Sequence, residues 1–209
     1  CRVPHRRPAK RQDHPVAAGS ASPSERFVRA LAAARIGATF NFYRDGTGAA
    51  LRRERLVEYL ERRRSARFVL VGEAPGYRGA RISGIPFTSE RQLSGSGPAE
   101  ATATIVQRAL WELGIASDVL LWNVVPTHPH RAGEPASNRV PAAPEIRAGL
   151  RFLDELLVGR AAVAVGRVAH GVLGGPYVRH PSHGGSAAFR DGLLLSIRRC
   201  GTSSSAARR

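Results

Sequence analysis

The chain has 209 residues, 43% of them hydrophobic, enough for one domain with its own core. Its formal charge of +16 comes from 32 basic and 16 acidic residues, and Lys10 is the single lysine. Arg is a planar fork that matches phosphate, so this balance favours a polyanionic partner such as nucleic acid, although Arg-rich codon usage and a solvated surface also account for it. No apolar run approaches the ~18 residues of a membrane span, and no signal segment is visible. The two cysteines, Cys1 and Cys200, form no disulfide framework and cannot supply the four thiolates of an iron–sulfur cluster. A reducing, cytoplasmic setting is the expectation. With no Met in the chain, the expectation is that residue 1 is not the natural start or that the start codon is atypical.

Residues 1–23 mix Arg, Pro, His and small residues without periodicity and read as a disordered basic arm. A helix start at Ser24 precedes Phe27, Leu31 and Ile36 at roughly helical spacing. Thr39–Gly48 reads as a loop with aromatic anchors. A second helix is expected over 50–63, with Leu51, Leu56, Tyr59 and Leu60 inward and a dense Arg face outward. Phe68–Val71 is a continuous apolar run suited to a strand buried on both faces. It breaks at Gly72-Glu73-Ala74-Pro75-Gly76, where Pro removes a ladder donor and Gly loosens the backbone. A second turn, Gly84-Ile85-Pro86-Phe87, ends in an aromatic ring. Residues 89–98 are Gly/Ser-rich and read as a mobile connection. A helix over 99–113 carries Ile105, Val106, Ala109, Leu110 and Leu113 on one face. Val119–Val125 is the next strand, apolar except for Asn123. A long loop, Pro126–Pro144, leads to a helix over 145–157 with Ile146, Leu150, Leu153, Leu156 and Leu157 as its stripe. A strand over 161–165, a short helix over 168–173, a strand at Tyr177-Val178 and a last helix over 189–197 complete the pattern. The domain is therefore expected over 24–200, with a disordered tail over 201–209.

Strands alternating with helices predict a three-layer α/β/α sandwich around a four-stranded parallel sheet. Open sheets of this kind bind ligands at the carboxyl ends of their strands. Glu73, Asn123 and His180 each follow a different strand, so one cleft can collect all three. Alone, each has a plain structural reading: a Glu charges a helix start, an Asn caps a turn, and a His beside Pro sits satisfied in a loop.

Together these residues resemble the uracil-DNA glycosylase superfamily. The resemblance covers about Phe68 to Phe189 in three motifs. The first is Gly72-Glu73-Ala74-Pro75-Gly76 with Gly84-Ile85-Pro86-Phe87. The second is Leu121-Trp122-Asn123-Val124-Val125 with Asn138-Arg139-Val140-Pro141 and Glu145, and the third is His180-Pro181-Ser182. The pattern is most similar to the bacterial family 4 type. The resemblance implies a monomeric enzyme without cofactor that flips uracil out of DNA and hydrolyses its N-glycosidic bond, leaving an abasic site. It implies that Phe87 stacks on the ring, Asn123 reads the O4 and N3 edge, His180 donates to O2, and Gly72, Ala74 and Gly76 line the pocket. Glu73 is the candidate for orienting water, and Ser182, His183 and Arg190 are candidates for touching the DNA strand.

The chain departs from the family pattern at several positions. Ala74 stands where the best-known members carry Asp, and Gly76 where some place a Tyr that excludes the thymine methyl. Thr127 stands where family 4 has a cluster cysteine, so no iron–sulfur cluster is expected, and the loop between Asn123 and Asn138 is expected to brace the site instead. His128, His130, His180 and His183 suggest zinc only weakly, because a His-x-His in a Pro-rich loop reads as solvated. Two other functions fit the same pattern. One is a non-catalytic binder of damaged or abasic DNA. The other is a small-molecule enzyme using the Gly72–Gly76 loop for phosphate, which lacks either common phosphate-loop motif.

Overall fold

The computed structural model describes residues 20–183 and 185–206. Helix α1 (Pro23–Ala33) opens on a capping box in which the Ser22 hydroxyl accepts from the Glu25 amide and the Glu25 carboxylate accepts from the Ser22 amide. Next come strand β1 (Thr39–Phe40), helix α2 (Ala49–Arg62) and strand β2 (Phe68–Gly72). Two short helices, α3 (Ala80–Ser83) and α4 (Glu90–Ser94), precede α5 (Ala101–Glu112). Strands β3 (Val119–Asn123) and β4 (His128–Pro129) lead to α6 (Ala143–Leu157). The chain ends with β5 (Ala161–Val165), α7 (Arg167–Leu173), β6 (Tyr177–Val178) and α8 (Gly185–Ala206).

The main sheet is parallel, in the order β3-β2-β5-β6. β2 and β3 are apolar at nearly every position and buried throughout, as strands covered on both faces must be. The crossover from β2 to β3 runs in one direction along the sheet and that from β3 to β5 in the other. Right-handed connections therefore put α5 and α6 on opposite faces. α8 packs on α5, and on the other face Phe27 of α1 meets Phe152 of α6 edge-on at 5.7 Å and Trp122 of β3 at 5.5 Å. The result is the expected three-layer sandwich. β3 lies at the edge of the sheet, and there the Leu121 amide donates to the Tyr59 hydroxyl at 2.7 Å, which covers an otherwise open ladder position.

Three local expectations need correction. On α2 the inward face is rotated: Leu51 is 48% exposed, while Arg52 is buried, donating through Nε to the Phe42 carbonyl at 2.6 Å and through Nη2 to the Asp45 carbonyl at 3.2 Å. The loop carbonyls of 42–45 need a donor, and a forked guanidinium supplies two from one position. The last helix reaches Ala206, so residues 201–206 are helical where a tail was expected. The two stretches read as loops, 39–48 and 126–144, pair through β1 and β4 as an antiparallel ribbon.

That ribbon is held by side chains from distant segments. The Thr127 hydroxyl donates to Thr39 Oγ1 at 2.6 Å, and Thr39 in turn donates to the Ile36 carbonyl. Arg139 grips Glu145 bidentately, with contacts of 2.6 and 2.7 Å, and its Nε donates to the His130 carbonyl. Glu145 is 3% exposed and also accepts from the Ala38 and Ala142 amides. These contacts hold its pKa below the ordinary carboxylate range, the Arg139 bond first among them. Replacing Arg139 by Ala strands this carboxylate, and the expected loss in a urea titration is about 3–5 kcal/mol. Because the folded pKa of Glu145 is depressed, its contribution is complete above the ordinary Glu range and fades as pH falls through the folded value. The Arg139→Ala variant should show less of that acid dependence.

Candidate active site

The sheet register builds the floor of the site. Gly72 at the end of β2 lies opposite Asn123 at the end of β3. Past the strands the pairing continues: the Val124 amide donates to the Gly72 carbonyl at 2.9 Å and the Val125 amide to the Glu73 carbonyl at 3.0 Å. A cleft of about 500 Å³ opens above these ends. It is lined by the Gly72–Gly76 loop, Phe87, Asn123, the Val165-Gly166 turn after β5, and His180 and Ser182 beyond β6. The three strand-end groups anticipated from the sequence thus share one cavity.

Gly72 is required for its shape. A Cβ there would collide with the Phe87 ring and stand 2.8 Å from Asn123 Oδ1. Ring and carboxamide therefore meet directly over the Gly72 backbone. Asn123 is 4% exposed, and among the described residues no side chain or backbone group hydrogen-bonds its carboxamide. Phe87 is the one non-glycine among the described residues with positive φ, at 51°, a conformation that survives only when its surroundings impose it. Gln107 Nε2 donates to the Phe87 carbonyl at 3.2 Å, the Tyr43 hydroxyl to the Gly84 carbonyl at 2.8 Å, and the Ser83 hydroxyl to the Thr88 carbonyl at 2.6 Å. The aromatic ring is thus set before any ligand arrives.

His180 stands across the cleft, beside Gly166. The Ser182 amide approaches its Nδ1 at 3.3 Å and the Ser182 hydroxyl lies 2.7 Å from it. An amide can only donate, so Nδ1 is the acceptor and the neutral ring bears its hydrogen on Nε2. Glu73 is half-buried, and burial alone pushes its pKa up, with no neighbouring charge opposing. Of the expected strand-contacting residues, Ser182 lines the cleft, and His183 belongs to the 3-10 turn Pro181–His183. Arg190 is not brought to the cleft. It lies on α8 toward α5, paired with Asp191 at 3.1 Å and Glu112 at 3.9 Å.

Two residues escaped the sequence reading. Glu100 lines the cleft although it reads as an ordinary acidic residue near a helix start. His128, expected in a solvated loop, is fully buried: its Nδ1 donates to the Pro75 carbonyl at 2.8 Å, tying β4 to the loop after β2. Its Nε2 is buried without a partner. Arg81, held against Phe40 at 5.2 Å and Tyr77 at 4.5 Å, and His130 both disfavour a charge on it. Among the described residues no group of three or more His, Cys, Asp or Glu is arranged to hold a metal ion, and no helix is long and apolar enough to cross a membrane.

The uracil DNA glycosylase superfamily model matches residues 61–196. The chain belongs to this superfamily. The match spans Glu73, Asn123 and His180, and membership supports hydrolysis of N-glycosyl bonds in DNA as the general activity of the chain. Among solved structures, the chain is similar to SMUG2 of Pedobacter heparinus, with TM-score 0.64 and 11% identity over 86% of this chain and 98% of that one. At that identity the likeness concerns the fold. No protein of curated function matches the sequence.

Two outcomes follow from this geometry. Gly72→Ala should cost about 1–3 kcal/mol of stability through overpacking against Phe87 and Asn123, measured by thermal unfolding. Burial, first among its causes, lowers the His128 pKa below the ordinary 6.5, so the folded state loses stability as pH falls from there toward the lower folded value. His128→Asn keeps a donor near the Nδ1 position for Pro75 and should flatten that limb in denaturant titrations between about pH 7.5 and 5.5.

Proposed function

We propose that the chain is a monofunctional uracil-DNA glycosylase that needs no cofactor. The observation carrying this reading is the unbonded Asn123 carboxamide that approaches the same point over Gly72 as the Phe87 ring, at the floor of the cleft. A primary amide both donates and accepts, which matches the N3–H and O4 of uracil side by side, while the ring offers a stacking face. Flipping a nucleotide out of the duplex costs a few kcal/mol, offset by these contacts. The net charge of +16 supplies attraction for the phosphate backbone.

The chemistry follows from charge. As the N1–C1′ bond breaks, its electron pair moves onto uracil and the sugar becomes cationic. His180 donates from Nε2 to O2 and stabilises the departing anion as a neutral oxyanion-hole donor does. Glu73 accepts a hydrogen bond from the attacking water and orients it toward C1′. Gly72 and Ala74 line the base side of the pocket with backbone and one small methyl, Gly76 lines it toward the sugar, and Ser182, with His183, meets the strand beside the lesion.

The test is release of free uracil from oligonucleotides carrying U:G, U:A, T:G or single-stranded U. Uracil should appear with an abasic site left behind. Asn123→Ala should lower kcat/KM by about 5- to 150-fold, the worth of one bidentate base contact of ~1–3 kcal/mol. Release should fall at acid pH, with a midpoint above the ordinary Glu range because Glu73 must be ionised to hold the water. No uracil release from any substrate, or full activity in the Asn123 variant, would refute the reading.

A further inference from the structure

The cleft contains a second carboxylate that these roles leave unused. Glu100 occupies the N-cap position of α5, and its side chain reaches back over the loop after β2. A Cβ on Gly79 would collide with its Oε2, and one on Gly76 would lie 3.0 Å from its Oε1. The two glycines therefore form a notch that only bare backbone leaves open. Burial alone raises the Glu100 pKa, with no charge or hydrogen bond acting against it, and among the described residues no cation or donor is paired with its carboxylate. A half-buried carboxylate that lacks a partner is free to take one that arrives with the ligand.

Depth in the cleft says which part of the ligand that is. Gly72 and Asn123 are buried at the floor, whereas Gly76 neighbours Asn138, an exposed residue whose Oδ1 would lie 3.9 Å from a Cβ on Gly76. A base seated on the floor leaves its sugar level with Gly76. Deoxyribose presents no hydrogen-bond donor at C1′ or O4′, but during hydrolysis it becomes positively charged there.

We propose that Glu100 is the carboxylate that faces the sugar and stabilises the positive charge on C1′ and O4′ as the N-glycosidic bond lengthens. The assignment rests on the glycosylase reading above and adds a second catalytic carboxylate to it. Glu100 exchanges no atom: the N1–C1′ electron pair leaves with the base, the water oxygen bonds to C1′, and its proton passes through Glu73 to solvent.

The decisive measurement separates charge recognition from turnover. Binding is compared for two duplexes, one with a cationic pyrrolidine in place of the deoxyribose and one with the uncharged tetrahydrofuran. The wild-type chain should prefer the pyrrolidine duplex by about tenfold or more, and Glu100→Gln should reduce that preference to about threefold or less. The same variant should bind the tetrahydrofuran duplex no more weakly, since a neutral side chain repels phosphate less, yet release uracil more than about tenfold more slowly in single turnover. Glu100→Asp, which keeps the charge, should retain part of the preference. An unchanged preference in Glu100→Gln, or equal weakening toward both duplexes, overturns the assignment. A wild-type chain that shows the Glu100-dependent preference but releases no uracil overturns the uracil reading while supporting the role of Glu100.

Discussion

The site depends on one parallel register, the pairing that sets Gly72 of β2 opposite Asn123 of β3. Shifted by one residue, Asn123 would turn to the other face of its strand and the Phe87 ring would meet a side chain instead of bare backbone. The register is carried past both strands by the Val124 and Val125 amides, so the loops leave the sheet in step. Glu73 and Asn123 are placed by this register, while His180 enters the cleft from beyond β6 and Glu100 from the start of α5.

The loops are held by polar contacts rather than by apolar packing. Thr127 binds Thr39, Arg139 binds Glu145, and His128 binds the Pro75 carbonyl, each linking segments remote in sequence or closing a long loop. Buried polar groups of this sort contribute little net energy when satisfied, but they are costly to leave half-made. That asymmetry makes them suited to positioning, since breaking any one of these contacts is costly. The loop between Asn123 and Asn138 contributes a two-residue ribbon, and side chains tie it to distant segments.

Electrostatically the cleft is divided. In the proposed reading, the Asn123 carboxamide and the His180 ring donate where the base gathers negative charge. The carboxylates Glu73 and Glu100 stand along the Gly72–Gly76 loop, both with pKa values raised by burial. An N-glycosidic bond separates charge with the same polarity when it breaks, negative on the base and positive on the sugar. On the proposed reading this arrangement stands before the substrate enters, and little reorientation is needed as the charge appears.

Much of this was legible in the residues themselves. The apolar runs 68–71 and 161–165 could only be buried strands, their breaks at Gly72 and Gly166 marked where ligand-facing loops begin, and alternation with helices implied the parallel sheet. Motif order also pointed to Phe87, Asn123 and His180. The inward turn of Arg52, the burial of His128 and the place of Glu100 were not legible, because each depends on a partner that no local pattern names: the carbonyls of 42–45, the Pro75 carbonyl and the notch at Gly76 and Gly79. The sequence by itself determined which segments form the sheet and where its carboxyl ends lie, since period and chain breakers are local properties. Only the tertiary structure decided which polar side chains enter the cleft, since that follows from close approach between segments far apart along the chain.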